Sequence, residues 1–157
     1  MSNGSNDKNP GTGGSFKVKL RQPADERVYL GSKRSDPPGV VTQWLPHGEE
    51  ITLEFVAGKW QEPSTWQCVG RVKEIFLGWE STTRLPRVHV RGESGDGRWS
   101  LEPVRGGGTN AWYLVYQFEQ KKSYLCDPAK AKDDSGHTHL AELAHAAIIE
   151  LDPPQLG

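Results

Sequence analysis

The stretch Trp112-Tyr113-Leu114-Val115-Tyr116-Gln117-Phe118 puts Trp112, Leu114, Tyr116 and Phe118 on every second position. An apolar period of two marks a strand with one buried face and one wet face. Phe16, Val18 and Leu20 repeat the beat, and so do Ile51, Leu53 and Phe55. These segments are short and are separated by Gly, Pro, Asn and Asp, so the chain reads as mainly antiparallel β.

Working outward, strands are expected at residues 16–21, 27–31, 40–45 and 50–57. A Pro46-His47-Gly48 turn is expected to join the last two as a hairpin. In residues 66–79 the apolar parity changes between Trp66, Cys68, Val72 and Ile75, Leu77, Trp79, which predicts a bulge or break near Lys73-Glu74. Residues 84–91 carry Pro86 near their start and read as an edge strand. A short strand at 98–101, a glycine loop at 106–110 and a hairpin of 111–119 with 123–126 follow. Leu140, Leu143, Ala144, Ala147, Ile148 and Leu151 then fall at helical spacing, which predicts an amphipathic helix over about 138–151. The expected architecture is a β-sandwich or partly open β-barrel with that one C-terminal α-helix packed on it. Residues 1–15, rich in Gly, Ser and Asn, read as a tail, and residues 16–157 as a single domain.

The 157 residues carry 19 Lys and Arg against 20 Asp and Glu, a net charge of -1 that disfavours general phosphate-backbone binding. Charge is uneven: six acids and two bases lie from Asp127 onward, leaving +3 on the first 126 residues. No run approaches the ~18 apolar residues of a membrane helix, and the first 15 residues lack a signal-peptide pattern. The expectation is a cytoplasmic chain as written, extracytoplasmic if it is a processed mature domain, with no membrane insertion. The two cysteines, Cys68 and Cys126, are either buried free thiols or a disulfide closing a long loop.

Candidate contact residues come from two patterns. Trp60 and Trp99 sit in loop-like, polar contexts, with Arg98 beside Trp99, and read as exposed contacts; Trp66, Trp79 and Trp112 share parity with aliphatic residues and read as core. Arg87, His89 and Arg91 form a basic strand face, as do Lys17, Lys19 and Arg21, with Arg71 and Lys73 flanking Val72. Such rows are either an anion-binding surface or faces paired with acids such as Glu50 and Glu54.

Two short patterns resemble known families. Gly58-Lys59-Trp60 resembles the Gly-x-Trp of lipocalin barrels, but it follows several strands here instead of opening the first. His137-Thr138-His139 with Glu142 resembles the His-x-His…Glu of cupins, but the glutamate comes too soon. On a helix, His139, Glu142 and His145 would share a face as potential metal ligands. There is no nucleophile elbow and no phosphate loop, and no catalytic residue, metal site or cofactor is assigned.

The leading expectation is a non-catalytic binding module that contacts a protein or carbohydrate through loops. One alternative is a binder of anionic ligands or single-stranded nucleic acid on the basic strand faces. The other is a small hydrolytic or metal-dependent enzyme using His137, His139 or His145.

Overall fold

The computed structural model describes residues 14–32, 40–56, 62, 64–69, 75–80, 86–92, 97–131 and 136–155. The strands are β1 (Ser15–Leu20), β2 (Tyr29–Gly31), β3 (Val40–Val41), β4 (Gln43–Leu45), β5 (Thr52–Phe55), β6 (Trp66–Val69) and β7 (Ile75–Glu80). They continue as β8 (Arg87–Arg91), β9 (Arg98–Pro103), β10 (Trp112–Phe118), β11 (Lys121–Leu125), β12 (Leu140–Ala141) and β13 (Ile149–Asp152). Two 3-10 turns, Pro128–Lys130 and Leu143–His145, lie between the last strands.

All the pairings are antiparallel, and the main path runs β12-β11-β10-β13-β1-β5-β6-β7-β8-β3. β1 is the junction. Lys17 to Leu20 pair with β13, Ser15 and Phe16 pair with β5, and Lys19 also pairs with Tyr29 of β2. Among the described residues the path does not close into a barrel. Isolated bridges tie the segment before β12 to other strands, His139 to Arg87 of β8 and His137 to Gln43 of β4.

The alternation does what period two requires. Phe16, Val18 and Leu20 enter the core while Lys17 and Lys19 stay half-exposed. One apolar cluster gathers residues from both halves of the path. Trp66 sits edge-on to Phe16 and Phe55, with ring centroids 5.4 and 4.9 Å away. Tyr116 is edge-on to both Trp79 and Trp99 at 5.3 and 5.0 Å. Edge-to-face geometry of this kind adds to the burial of each ring.

The C-terminal segment departs from expectation: among the described residues there is no α-helix, and 140–152 form β12, a 3-10 turn and β13. Ala147, Ile149 and Leu151 are buried, whereas Leu143 and Ile148, central to the helical stripe, are 52% and 39% exposed. Two periods coexist in this segment, and the partner decides between them. As a strand it sets Glu150 opposite Lys19 and Asp152 opposite Lys17, and it supplies the backbone partners that β1 needs.

In 66–79 the break holds: β6 ends at Val69, β7 starts at Ile75, and the two pair antiparallel with Cys68 opposite Ile75, so Trp66, Cys68, Ile75 and Leu77 are all buried. Two further expectations change. β4 and β5 are not a hairpin, because β4 pairs with β2 while β5 pairs with β1 and β6. β8 is not an edge strand, since β7 and β3 flank it. The β10–β11 hairpin holds, with Glu119 and Gln120 at its tip in left-handed backbone (φ 50 and 68). Cys68 and Cys126 are both buried, and no disulfide joins them.

Asn110 takes the place of a strand partner along part of β13. Its side chain accepts from Leu151 N (3.0 Å), donates to Leu151 O (3.1 Å) and accepts from Trp112 Nε1 (3.3 Å). Its φ of 55 suits asparagine better than most residues. Asn110→Ala should therefore lower stability by about 3 kcal/mol in denaturant unfolding. Asn110→Asp keeps the acceptor, loses the donor, and should cost roughly half of that.

Candidate functional site

The residues singled out from sequence separate in space. Trp60 lies outside the described residues, as do Arg71 and Lys73. Trp99 is not an exposed contact: it is 1% exposed, and its Nε1 donates to Leu77 O at 3.1 Å. The polar residues before it led sequence reasoning astray, because β9 starts at Arg98 and turns Trp99 straight into the core. Arg98 is exposed at that strand's outer end, with Nη1 donating to Gly97 O. The other described tryptophans are buried or, for Trp79, packed against the core, so none of them offers a stacking platform.

Arg87, His89 and Arg91 share the outer face of β8, since Val88 and Val90 fill the core. They are packed into the sheet instead of standing off it. His89 is 7% exposed, in register with Val41 and Gly78. Arg91 lies over Gly78, where an added Cβ would stand 2.2 Å from Arg91 Cδ, and its Nη1 reaches Trp79 O. His139, bridged to Arg87, and His137, bridged to Gln43, reach this region on a strand-like segment. Thr42 and Thr138 join through their buried hydroxyls nearby. With no helix there, His139, Glu142 and His145 do not form the expected helical row. Among the described residues no group of three or more His, Cys, Asp or Glu could hold a metal.

The β1 row is matched by acids. Lys17 and Lys19 face Asp152 and Glu150 in register, and Arg21 Nε is 3.5 Å from Glu150 Oε2. Glu150 and Asp152 come from the segment read as a helix, so sequence reasoning did not name them; of the acids it did name, Glu50 feels the Lys17 charge.

Hollow surface lies at one end of the molecule, between residues 21–27 and 127–131. An inner lobe of about 240 Å³ has Leu20, Ala24, Trp44, Pro128, Ala129 and Ala131 along its wall, with Gln22, Asp25, Arg27, Asp127 and His137 around them. An outer lobe of about 530 Å³ shares Leu20, Gln22 and Asp127 and adds Arg21, Gly106, Gly107, Lys130, Ala146 and Ile148. Their shared residues set them side by side, as two lobes along one stretch of surface.

Local chemistry fixes its walls. The Asp25 carboxylate accepts from Arg27 N and Nη2, each at 2.8 Å, and the Arg27 side chain holds that carboxyl below its usual range. Asp127 Oδ1 caps the 3-10 turn by accepting from Ala129 N at 2.9 Å, and Pro128 starts the turn without an orphan donor. Lys130 Nζ donates to Ala144 O at 3.3 Å, tying the two 3-10 turns together. Behind this wall, burial and the nearby Asp127 push the Cys126 thiol up to about 11. Sequence reasoning singled out none of these residues; the one local signal was Asp127-Pro128, a cap followed by a proline.

A second cluster of ionisable groups lies where β1, β2 and β13 meet. Tyr29 OH donates to Asp152 Oδ2 at 2.8 Å, and its ring lies 5.5 Å from that of His47. His47 Nδ1 is 3.0 Å from Glu50 Oε1, and Gly48 N donates to Glu50 Oε2 at 2.9 Å. The bond to Asp152, followed by burial, pushes the Tyr29 phenol up to about 12. For Glu50, burial raises the carboxyl, but the Gly48 and Glu50 backbone N–H groups, His47 and Lys17 outweigh it and leave it below the ordinary range.

These shifts set opposite ends of the stability profile. Tyr29 is raised, so its contribution is complete below pH 10 and lost as the pH climbs toward 12. Glu50 is lowered, so its contribution is complete above its ordinary 4.5 and lost as the pH falls through the folded value. Thermal melts of Tyr29→Phe should lack the alkaline step, and those of Glu50→Gln should lack part of the acid step.

No helix among the described residues is long and apolar enough to cross a membrane, which leaves a β-barrel crossing untouched. No protein-family model and no curated protein matches the chain.

Proposed function

We propose that the chain is a non-catalytic binding module whose ligand is an extended segment of a partner protein, held in the two-lobed groove. The observation that carries this reading is the inner lobe, where an apolar wall including Leu20 and Trp44 is ringed by Gln22, Asp25, Arg27 and Asp127. A concave apolar surface with a few fixed polar groups is the usual form of a recognition pocket. One apolar side chain of the partner enters the inner lobe. The chain that follows it lies along the outer lobe, past Gly106 and Gly107. A carbohydrate ligand has less support, because none of the described tryptophans is laid open for stacking. An anionic ligand on β8 is a second reading, supported by Arg87, His89 and Arg91 lying beside His139 and His137. Its signature would be affinity that falls with salt.

Selection of a displayed random-peptide library on the whole chain tests the proposal. Enriched peptides should share an apolar residue, and Ala24→Trp and Ala129→Arg, both on exposed rim positions, should weaken them at least about tenfold, a loss of roughly 1.4 kcal/mol. Lys121→Glu, at the tip of the β10–β11 hairpin, should leave them unchanged. Peptides indifferent to both rim substitutions, or no enrichment at all, would overturn the reading.

A further inference from the structure

Arg27 borders the inner lobe in a braced pose. The Asp25 carboxylate, two residues earlier, accepts from Arg27 Nη2 at 2.8 Å and from Nε at 3.2 and 3.3 Å. This clamp closes within one loop, so it needs no ligand to form. It uses the Nε–Nη2 edge of the guanidinium. Nη1 lies toward Gly136 on another wall of the lobe, 3.7 Å from where a Cβ at that glycine would stand. The Nη1 end and the flat face of the cation are therefore left for whatever fills the lobe. The rest of the wall is apolar: Leu20, Trp44 and Pro128 with three alanines, Ala24, Ala129 and Ala131. The lobe's volume of about 240 Å³ exceeds the roughly 150 Å³ of an apolar cavity that takes up benzene. A whole aromatic side chain enters such a space, whereas a Val or Leu side chain leaves much of its wall uncovered. The charges around the lobe also suit a ring. An aromatic face is negative and attracts a cation such as Arg27, and an aromatic edge is positive and tolerates carboxylates such as Asp25 and Asp127.

We propose that the inner lobe is selective for an aromatic anchor: the partner's segment enters it with a Phe, Tyr or Trp side chain whose π face packs on the Arg27 guanidinium. This rests on the groove reading above and names the side chain that the groove selects. An aliphatic anchor of similar area gains the same burial but lacks the attraction between cation and ring, so the site separates the two classes.

The test selects two displayed random-peptide libraries on the whole chain, one without Phe, Tyr and Trp and one without Val, Leu, Ile and Met. Binders that Ala24→Trp weakens should come from the second library alone. One of them is then synthesised with phenylalanine or pentafluorophenylalanine at its anchor, since full fluorination reverses the ring quadrupole and keeps the ring apolar. The fluorinated peptide should bind the wild-type chain roughly fivefold more weakly than its parent, and the two should bind Arg27→Gln equally. Each pair of peptides is compared on one protein, so a change in stability of the variant cancels. The aromatic anchor is overturned if the first library yields Ala24→Trp-sensitive binders as readily as the second. It is also overturned if fluorination costs nothing on the wild-type chain, or costs as much on Arg27→Gln. In each of those cases the groove stands without its aromatic preference; if neither library yields a binder, groove and anchor fall together.

Discussion

The fold depends on β1 finding partners along both edges at once. Its backbone groups must be satisfied by β13 on one side and by β5 and β2 on the other, or they would be buried without partners. Its apolar residues Phe16, Val18 and Leu20 enter the same cluster that β5, β10 and β13 complete. Its outward lysines meet Glu150 and Asp152 across the ladder. Burial, hydrogen bonding and charge therefore agree on one register, and a slip of one residue would invert all of them.

The groove follows from how that junction ends. Past Leu20 the chain leaves the ladder and loops through residues 22–27 before returning as β2. Past Leu125 it leaves β11 and turns at Pro128–Lys130. Two departures at the same end leave a hollow that neither strand set fills. Its walls are held by short-range bonds such as Asp25 with Arg27 and Asp127 with Ala129 N, which need no help from the core. A rigid sheet carrying polar, locally braced loops is the usual placement for recognition surfaces. The Tyr29, His47 and Glu50 cluster lies at the same junction but braces it, tying β2 and the turn after β4 to the end of β13.

What sequence reasoning misread came from reading local context without a partner. Trp99 follows a glycine-rich polar stretch, and although a strand is expected from residue 98, nothing local says that Trp99 lies on its buried face. Only Tyr116 beside its ring and Leu77 O at its Nε1 make it core. Phe118 keeps the beat of β10 yet lies at the hairpin tip, outside the apolar cluster. Val72, Trp60 and the loops around them lie outside the described residues, so those expectations are neither met nor replaced.

By itself the sequence determined the class of the fold: antiparallel strands at Phe16, Leu53 and Leu114, the β10–β11 hairpin, and cores built from alternate residues. Period two is a property of the chain alone, because a strand's two faces are fixed by backbone geometry. The state of residues 140–152 was decided by tertiary structure. Their spacing fits a helix stripe through Leu140, Leu143 and Ala147, and it also fits a strand face through Ala147, Ile149 and Leu151. A helix would have satisfied its own hydrogen bonds, but β1 would then have lacked a neighbour and Lys17 and Lys19 their acids. Pairing across the fold, which no window of sequence contains, tips the balance toward the strand.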